Sequence, residues 1–161
     1  MNVKRWLIAC ISALLCIVFI RSFIISNYII DGHSMEPTLN HKDRVLVNQW
    51  MDIFRRPHVD DIYFFKLNAN DVMVKRIVAT PGDTIKVDRG VLYVNDNRTR
   101  YHDASLQALV YEASHDRTVE QNCYIVLGDH LDESMDSRTF GCIKREQMIG
   151  KVIYTYWHNK N

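Results

Sequence analysis

The run Trp6 to Ile20, WLIACISALLCIVFI, constrains this chain more than any other stretch, because only Ser12 in it is polar. Arg21 and Ser22 interrupt it, and Phe23-Ile24-Ile25 resumes it. Counted to Ile25, the run is about 20 residues, or roughly 30 Å of helix, the thickness of a bilayer's hydrocarbon core. The expectation is one uncleaved transmembrane anchor and its cytoplasmic stub over residues 1–27. Lys4 and Arg5 precede the run and keep the N-terminus in the cytoplasm, and Arg21 snorkels to the far interface. A cleaved secretory signal shares the basic start, but no small-x-small site follows the run. A buried core helix fits less well, because the run has no polar face.

Residues 28–161 then form one extracytoplasmic domain. With 24% charged residues and a formal net charge of +1, nothing in the composition calls for nucleic acid as a partner. No internal repeat or low-complexity linker is present. Cys10 and Cys16 fall in the anchor as apolar fillers. Cys123 and Cys142 lie in the outer part, where a disulfide is chemically allowed; their spacing leaves the pairing open.

Short β-branched and aromatic stretches recur through the domain. Strands are expected at Tyr28-Ile29-Ile30, Val72 to Ala79, Cys123 to Leu127 and Ile149 to Trp157, and a turn followed by a strand in each of Lys42 to Asn48 and Asp60 to Lys66. Thr84 to Val87 and Val91 to Val94 flank Asp88-Arg89-Gly90 as a hairpin. Trp50 to Pro57 is apolar and basic together, and reads either as a headgroup-facing segment or as a solvated loop. Arg98 to Asn122 reads as a polar, irregular excursion with a short helix around Ala104 to Ala113. His102 and His115 within it read as surface residues.

Two residues carry chemical interest. Ser34 follows Asp31-Gly32-His33 on a turn with Pro37 three residues on, so its hydroxyl is exposed and held. Lys75 lies on the strand Val72 to Ala79, where side chains alternate faces. Met73, Lys75, Ile77 and Ala79 share one face; Val72, Val74, Arg76 and Val78 share the other. A free lysine with a pKa of about 10.4 is only about 0.1% neutral near pH 7.5. Apolar neighbours disfavour the ammonium, and a fall of about 2–3 units would make the amine a usable base. The loop Gly128 to Gly141 is dense in hydroxyls and carboxylates between two apolar strands, and must satisfy those groups internally or at a neighbouring site. In it Asp136 and Arg138 read as one ion pair, and Ser134 and Ser137 as hydroxyls available to a partner.

Four stretches in this order resemble the motif blocks of the type I signal peptidases. They are S-M-x-P-T-L at Ser34 to Leu39, D-R-V-x-V-N at Asp43 to Asn48, V-K-R-x-x-x-x-P-G-D at Val74 to Asp83, and G-D-H-x-x-x-S-x-D-S-R-x-F-G at Gly128 to Gly141. The pattern looks like the Gram-positive type. The resemblance implies a mostly β fold of twisted antiparallel sheets behind one N-terminal transmembrane helix. It implies a membrane-anchored serine endopeptidase that removes signal peptides from exported preproteins, with Ser34 as nucleophile and Lys75 as general base. Ser134 falls where a hydroxyl orients the lysine, and Asp136 and Arg138 fall where residues hold the site without reacting. The Ser34 backbone N–H would donate to the oxyanion. Gly32 stands where some members carry a serine as second donor, so that donor is left unnamed. His130 replaces a more usual asparagine and takes no catalytic role. No metal or cofactor is implied. The partners implied are preproteins with small residues before the cut and the lipid bilayer.

Other readings stand beside this one. A catalytically silent paralogue would bind secretory precursors without cleaving them. A specialised pilin or conjugation-protein maturation peptidase would use the same dyad. A Ser-His-Asp hydrolase would pair Ser34 with His102 or His115.

Overall fold

The computed structural model describes residues 3–23, 25–50, 55–68, 71–110 and 116–159, with the backbone alone for 20–23 and 116. The apolar run forms α1 (Val3–Phe23). Its side chains from Val3 to Phe19 are exposed all round. Among the described residues no helix is long and apolar enough to cross a membrane. The anchor expected over 1–27 also draws on side chains 20–24, which lie outside them.

Eleven strands follow among the described residues: β1 (Ile25–Ile29), β2 (Arg44–Asn48), β3 (Ile62–Lys66), β4 (Val72–Ala79), β5 (Thr84–Asp88), β6 (Val91–Val94), β7 (Asn97–His102), β8 (Asp116–Thr118), β9 (Cys123–Leu127), β10 (Ile143–Lys144) and β11 (Met148–Trp157). They pair antiparallel in two sheets, ordered β1-β2-β11-β3-β4-β9-β10 and β7-β6-β5-β8. The mostly β expectation holds. Strand β1 starts three residues before the expected Tyr28.

Strand β9 explains how the two sheets share a core. All five of its side chains are buried, as its unbroken apolar sequence requires of a strand covered on both faces. Tyr124 and Val126 pack with Tyr63, Phe65, Ile77 and Ile143. Cys123, Ile125 and Leu127 pack on the other side with Ile85, Leu92 and Leu106 from the second sheet and its connection. Each such aliphatic or aromatic side chain contributes about 1.5–3 kcal/mol when fully buried. A third cluster, with Ile30, Met35, Leu39, Val45, Val47, Phe64 and Val74, lies under the turn that carries Ser34.

Three expectations need correction. Arg98 to Asn122 is not irregular throughout: it supplies most of β7, a 3-10 helix (Ala104–Val110) and β8. The polar sequence Asn97–His102 hid a strand because only Tyr101 in it is buried. The short helix is 3-10 and ends at Val110; residues 111–113, and His115, lie outside the described residues. Strict alternation on β4 also fails at its end. The register against β9 shifts between Ile77 and Ala79, so Val78 and Ala79 join the same core cluster.

The β5–β6 hairpin is as expected. Its two turn residues, Arg89 and Gly90, both have positive φ, 48° and 77°, which matches the right-handed twist of the strands they join. Of the segment Trp50 to Pro57, residues 51–54 lie outside the described residues. Cys123 and Cys142 form a disulfide, with Cα atoms 5.4 Å apart. It closes the loop that runs from β9 through α2 (Ser137–Phe140).

Candidate active site

The first element of the site is the turn after β1. Gly32 there has φ +102°, a conformation L side chains rarely adopt. A serine at this position would be strained, so no side chain at 32 supplies an oxyanion donor. The Gly32 N–H is itself engaged, donating to His41 Nδ1 at 3.0 Å. The buried side chains of Met35 and Leu39 pin the turn to the core, and Leu39 N–H donates to the Met35 carbonyl at 2.9 Å. Ser34 is left partly buried at the rim. Among the described hydrogen bonds, its own N–H has no acceptor.

The second element is β4. Lys75 is 5% exposed, and its Nζ lies 2.6 Å from Ser34 Oγ across 41 residues of sequence. Burial strips water from the ammonium and brings its pKa down to about 8. The negative charge of Asp136 pulls the value back up, and Arg138 pushes it down again. At pH 7 about a tenth of such an amine is uncharged, against about 0.03% at the ordinary lysine value. A hydroxyl and an amine thus stand in proton-transfer range, which is the geometry of general-base activation of a nucleophile.

The third element is the loop after β9. Gly128 is required by close approach, since a Cβ there would lie 2.2 Å from Ser134 Oγ and 2.5 Å from the Ser34 carbonyl oxygen. His130 N–H donates to that same carbonyl at 3.0 Å. Ser134 therefore packs beside Ser34, and its hydroxyl donates to Asp136 Oδ2 at 2.7 Å. Its link to Lys75 runs through the carboxylate whose charge acts on the amine. Asp136 is fully buried and also accepts from Gly128 N–H at 3.1 Å and from Arg138 Nε at 2.8 Å. Arg138 donates further to the carbonyls of Leu131 and Ser134. The expected internal ion pair is present and anchors the loop's backbone. Ser137 Oγ accepts from Val126 N–H.

Residues with no role assigned from sequence complete the frame. Arg76, one residue beyond Lys75 and facing the other way, makes a two-point contact with Asp129, Nε to Oδ1 at 2.9 Å and Nη2 to Oδ2 at 2.6 Å. It also donates to Thr38 Oγ1 on the turn that carries Ser34 and to the Asp60 carbonyl. Burial works against the Asp129 carboxylate, but the bonds from Arg76 and Thr38 outweigh it and hold its pKa below the usual range. A buried arginine demands a partner, so Arg76 in an apolar strand was the signal available in the sequence. The block Asp43 to Asn48 lies behind the site. Asp43, fully buried, accepts from Asn40 N–H and Asn159 N–H and ties the turn's exit to the end of the chain.

His102 is exposed at the end of β7, and the described hydrogen bond to Ser34 Oγ comes from Lys75. A cavity of about 1010 Å³, lined by Arg55, Arg56, His58, Tyr124 and Arg145 among others, contains neither Ser34 nor Lys75.

Residues 3–157 match the family described as signal peptidase, peptidase S26. The chain belongs to this family. Signal peptidase I of Bacillus caldolyticus is 34% identical over 155 residues, which cover 88% of this chain and 85% of that protein. A protein of Staphylococcus aureus named inactive signal peptidase IA is 30% identical over 164 residues, 97% of this chain and 92% of its own length. The chloroplastic thylakoidal processing peptidase 1 of Arabidopsis thaliana is 34% identical over 161 residues. These are 92% of this chain, which spans about half, 47%, of that relative. Family membership makes the chain a signal peptidase homologue of the serine peptidase type. Its relatives carry names of both active and inactive proteins.

Proposed function

We propose that this chain is a membrane-anchored serine endopeptidase that cleaves signal peptides from exported preproteins with a Ser34–Lys75 dyad. The observation that carries the reading is the 2.6 Å approach of a buried lysine amine to the Ser34 hydroxyl. Neutral Lys75 takes the Ser34 proton as Oγ attacks the scissile carbonyl. The lysine then protonates the departing amine and afterwards activates the water that hydrolyses the acyl-enzyme. The Ser34 N–H donates to the oxyanion. Ser134, Asp136 and Arg138 orient the amine without reacting. The substrate enters as an extended strand with small residues before the cut.

The helix α1 anchors the domain as a single-pass segment, with the N-terminus cytoplasmic and the catalytic domain outside. The length of the apolar run and the lysine and arginine ahead of it support this placement. The staphylococcal relative named inactive favours a second reading, a silent paralogue that binds precursors. The presence of both dyad groups in contact favours activity. Incubating a preprotein with the full chain, with Ser34→Ala and with Lys75→Ala separates them. Cleavage by the native chain alone is expected. No cleavage by any of the three, with the preprotein still bound, would establish the paralogue.

A further inference from the structure

We infer that Tyr101 and Arg100, on the second sheet, are positioning residues for the dyad, acting through the Asp129 carboxylate; the inference rests on the serine peptidase reading above. Asp129 is the point where three parts of the molecule meet. Its side chain is 4% exposed. Arg76, adjacent to the base Lys75, grips both of its oxygens. Its neighbour His130 holds the carbonyl of the nucleophile Ser34. Arg76 also reaches Thr38, four residues past Ser34. Any rotation of the Asp129 carboxylate is therefore transmitted to both halves of the dyad.

Two further donors set that rotation, and both come from β7. The Tyr101 hydroxyl donates to Asp129 Oδ1 at 3.1 Å, and Arg100 Nη2 donates to the same oxygen at 3.3 Å. Tyr101 is 5% exposed, with its ring in the core shared by the two sheets. Arg100 lies with its guanidinium carbon 5.3 Å from the Tyr101 ring centroid, and its Nη2 is 3.9 Å from Oδ1 of Asp60, whose carbonyl Arg76 also uses. With Arg76 alone, the carboxylate would be gripped at both oxygens but only from the larger sheet. With Tyr101 and Arg100 in place it is held from both sheets. A misplacement of reacting groups by about 1 Å can cost about a hundredfold in rate, and a hydrogen bond to a charged group changes an equilibrium by about tenfold or more. The second sheet thus sets the precision of the site.

The test uses the full chain in detergent micelles and a peptide with an apolar stretch and small residues before the cut. Active serine is titrated so that kcat refers to competent sites. Tyr101→Phe is expected to lower kcat about tenfold with KM within about twofold and thermal stability nearly unchanged. Thr38→Val should lower kcat too, and the double variant should lose less than the product of the two, because both act through one Arg76–Asp129 contact. Arg100→Gln, at a half-exposed side chain that folding does not need, should cost about threefold in kcat and serves if Tyr101→Phe folds poorly. Unchanged kcat in Tyr101→Phe and Arg100→Gln, or a rise in KM alone, overturns the inference. Turnover by the native chain with no effect of these variants rejects the positioning role only. No turnover by the native chain rejects the peptidase reading, and the positioning role with it.

Discussion

Lys75 is buried at 5% exposure, and its protonation links activity to stability. Its pKa falls from 10.5 to about 8 on folding, mainly by burial. Below about pH 8 both folded and unfolded chains hold the proton, and the folded one carries a buried ammonium. Between about pH 8 and the ordinary value the unfolded chain binds the proton that the folded chain has lost, so stability rises with pH across that window. The cost of the buried charge below it is about 3 kcal/mol. Lys75→Met keeps the volume and removes the charge. It is expected to be more stable than the native chain by about 3 kcal/mol near pH 7 in urea unfolding, with the difference shrinking above about pH 8, and to be inactive. Equal stability at all pH values would show that the ammonium is solvated. The alternation of β4 made this environment legible in the sequence. The partner of Arg76 was not legible, because Asp129 lies 53 residues away and only the pairing of β4 with β9 brings them together.

At the scale of elements, the loop after β9 does most of the positioning. Gly128 packs with no room for a methyl group between Ser134 and the Ser34 carbonyl. Gly128→Ala must displace one or both, so activity is expected to fall at least about a hundredfold. Ser34→Ala provides the floor in the same cleavage assay, and a Gly128→Ala enzyme of native activity would place the loop elsewhere. The Cys123–Cys142 disulfide closes this loop over a separation of 19 residues. Cross-linking a loop of that size lowers the entropy of the unfolded chain and stabilises the fold by about 3 kcal/mol. Reduction with dithiothreitol is expected to lower the unfolding free energy by about that amount in the native chain and not in Cys142→Ala. The sequence left this pairing open, because nothing local fixes the distance between two cysteines on separate segments. The four motif stretches were legible because each is contiguous. The resemblance implied that the Ser134 hydroxyl orients the lysine; its bond to Asp136 was not legible, because it depends on the fold of the loop.

For the whole molecule, two antiparallel sheets share β9's core, and the dyad lies where the larger sheet meets the turn after β1. Strand β7 of the second sheet was the least legible part, since Asn97–His102 shows no apolar alternation and its two side chains that reach Asp129 contact another element. The molecular account depends on one event, the loss of a proton by a desolvated lysine next to a serine. The most direct measurement is kcat/KM against pH on a signal-peptide substrate, for the native chain and for Lys75→Ala. The account predicts a rate that rises with pH through an apparent pKa near 8 and no measurable turnover without the lysine. A rise centred near the histidine value of about 6.5, or turnover retained in Lys75→Ala, would contradict it.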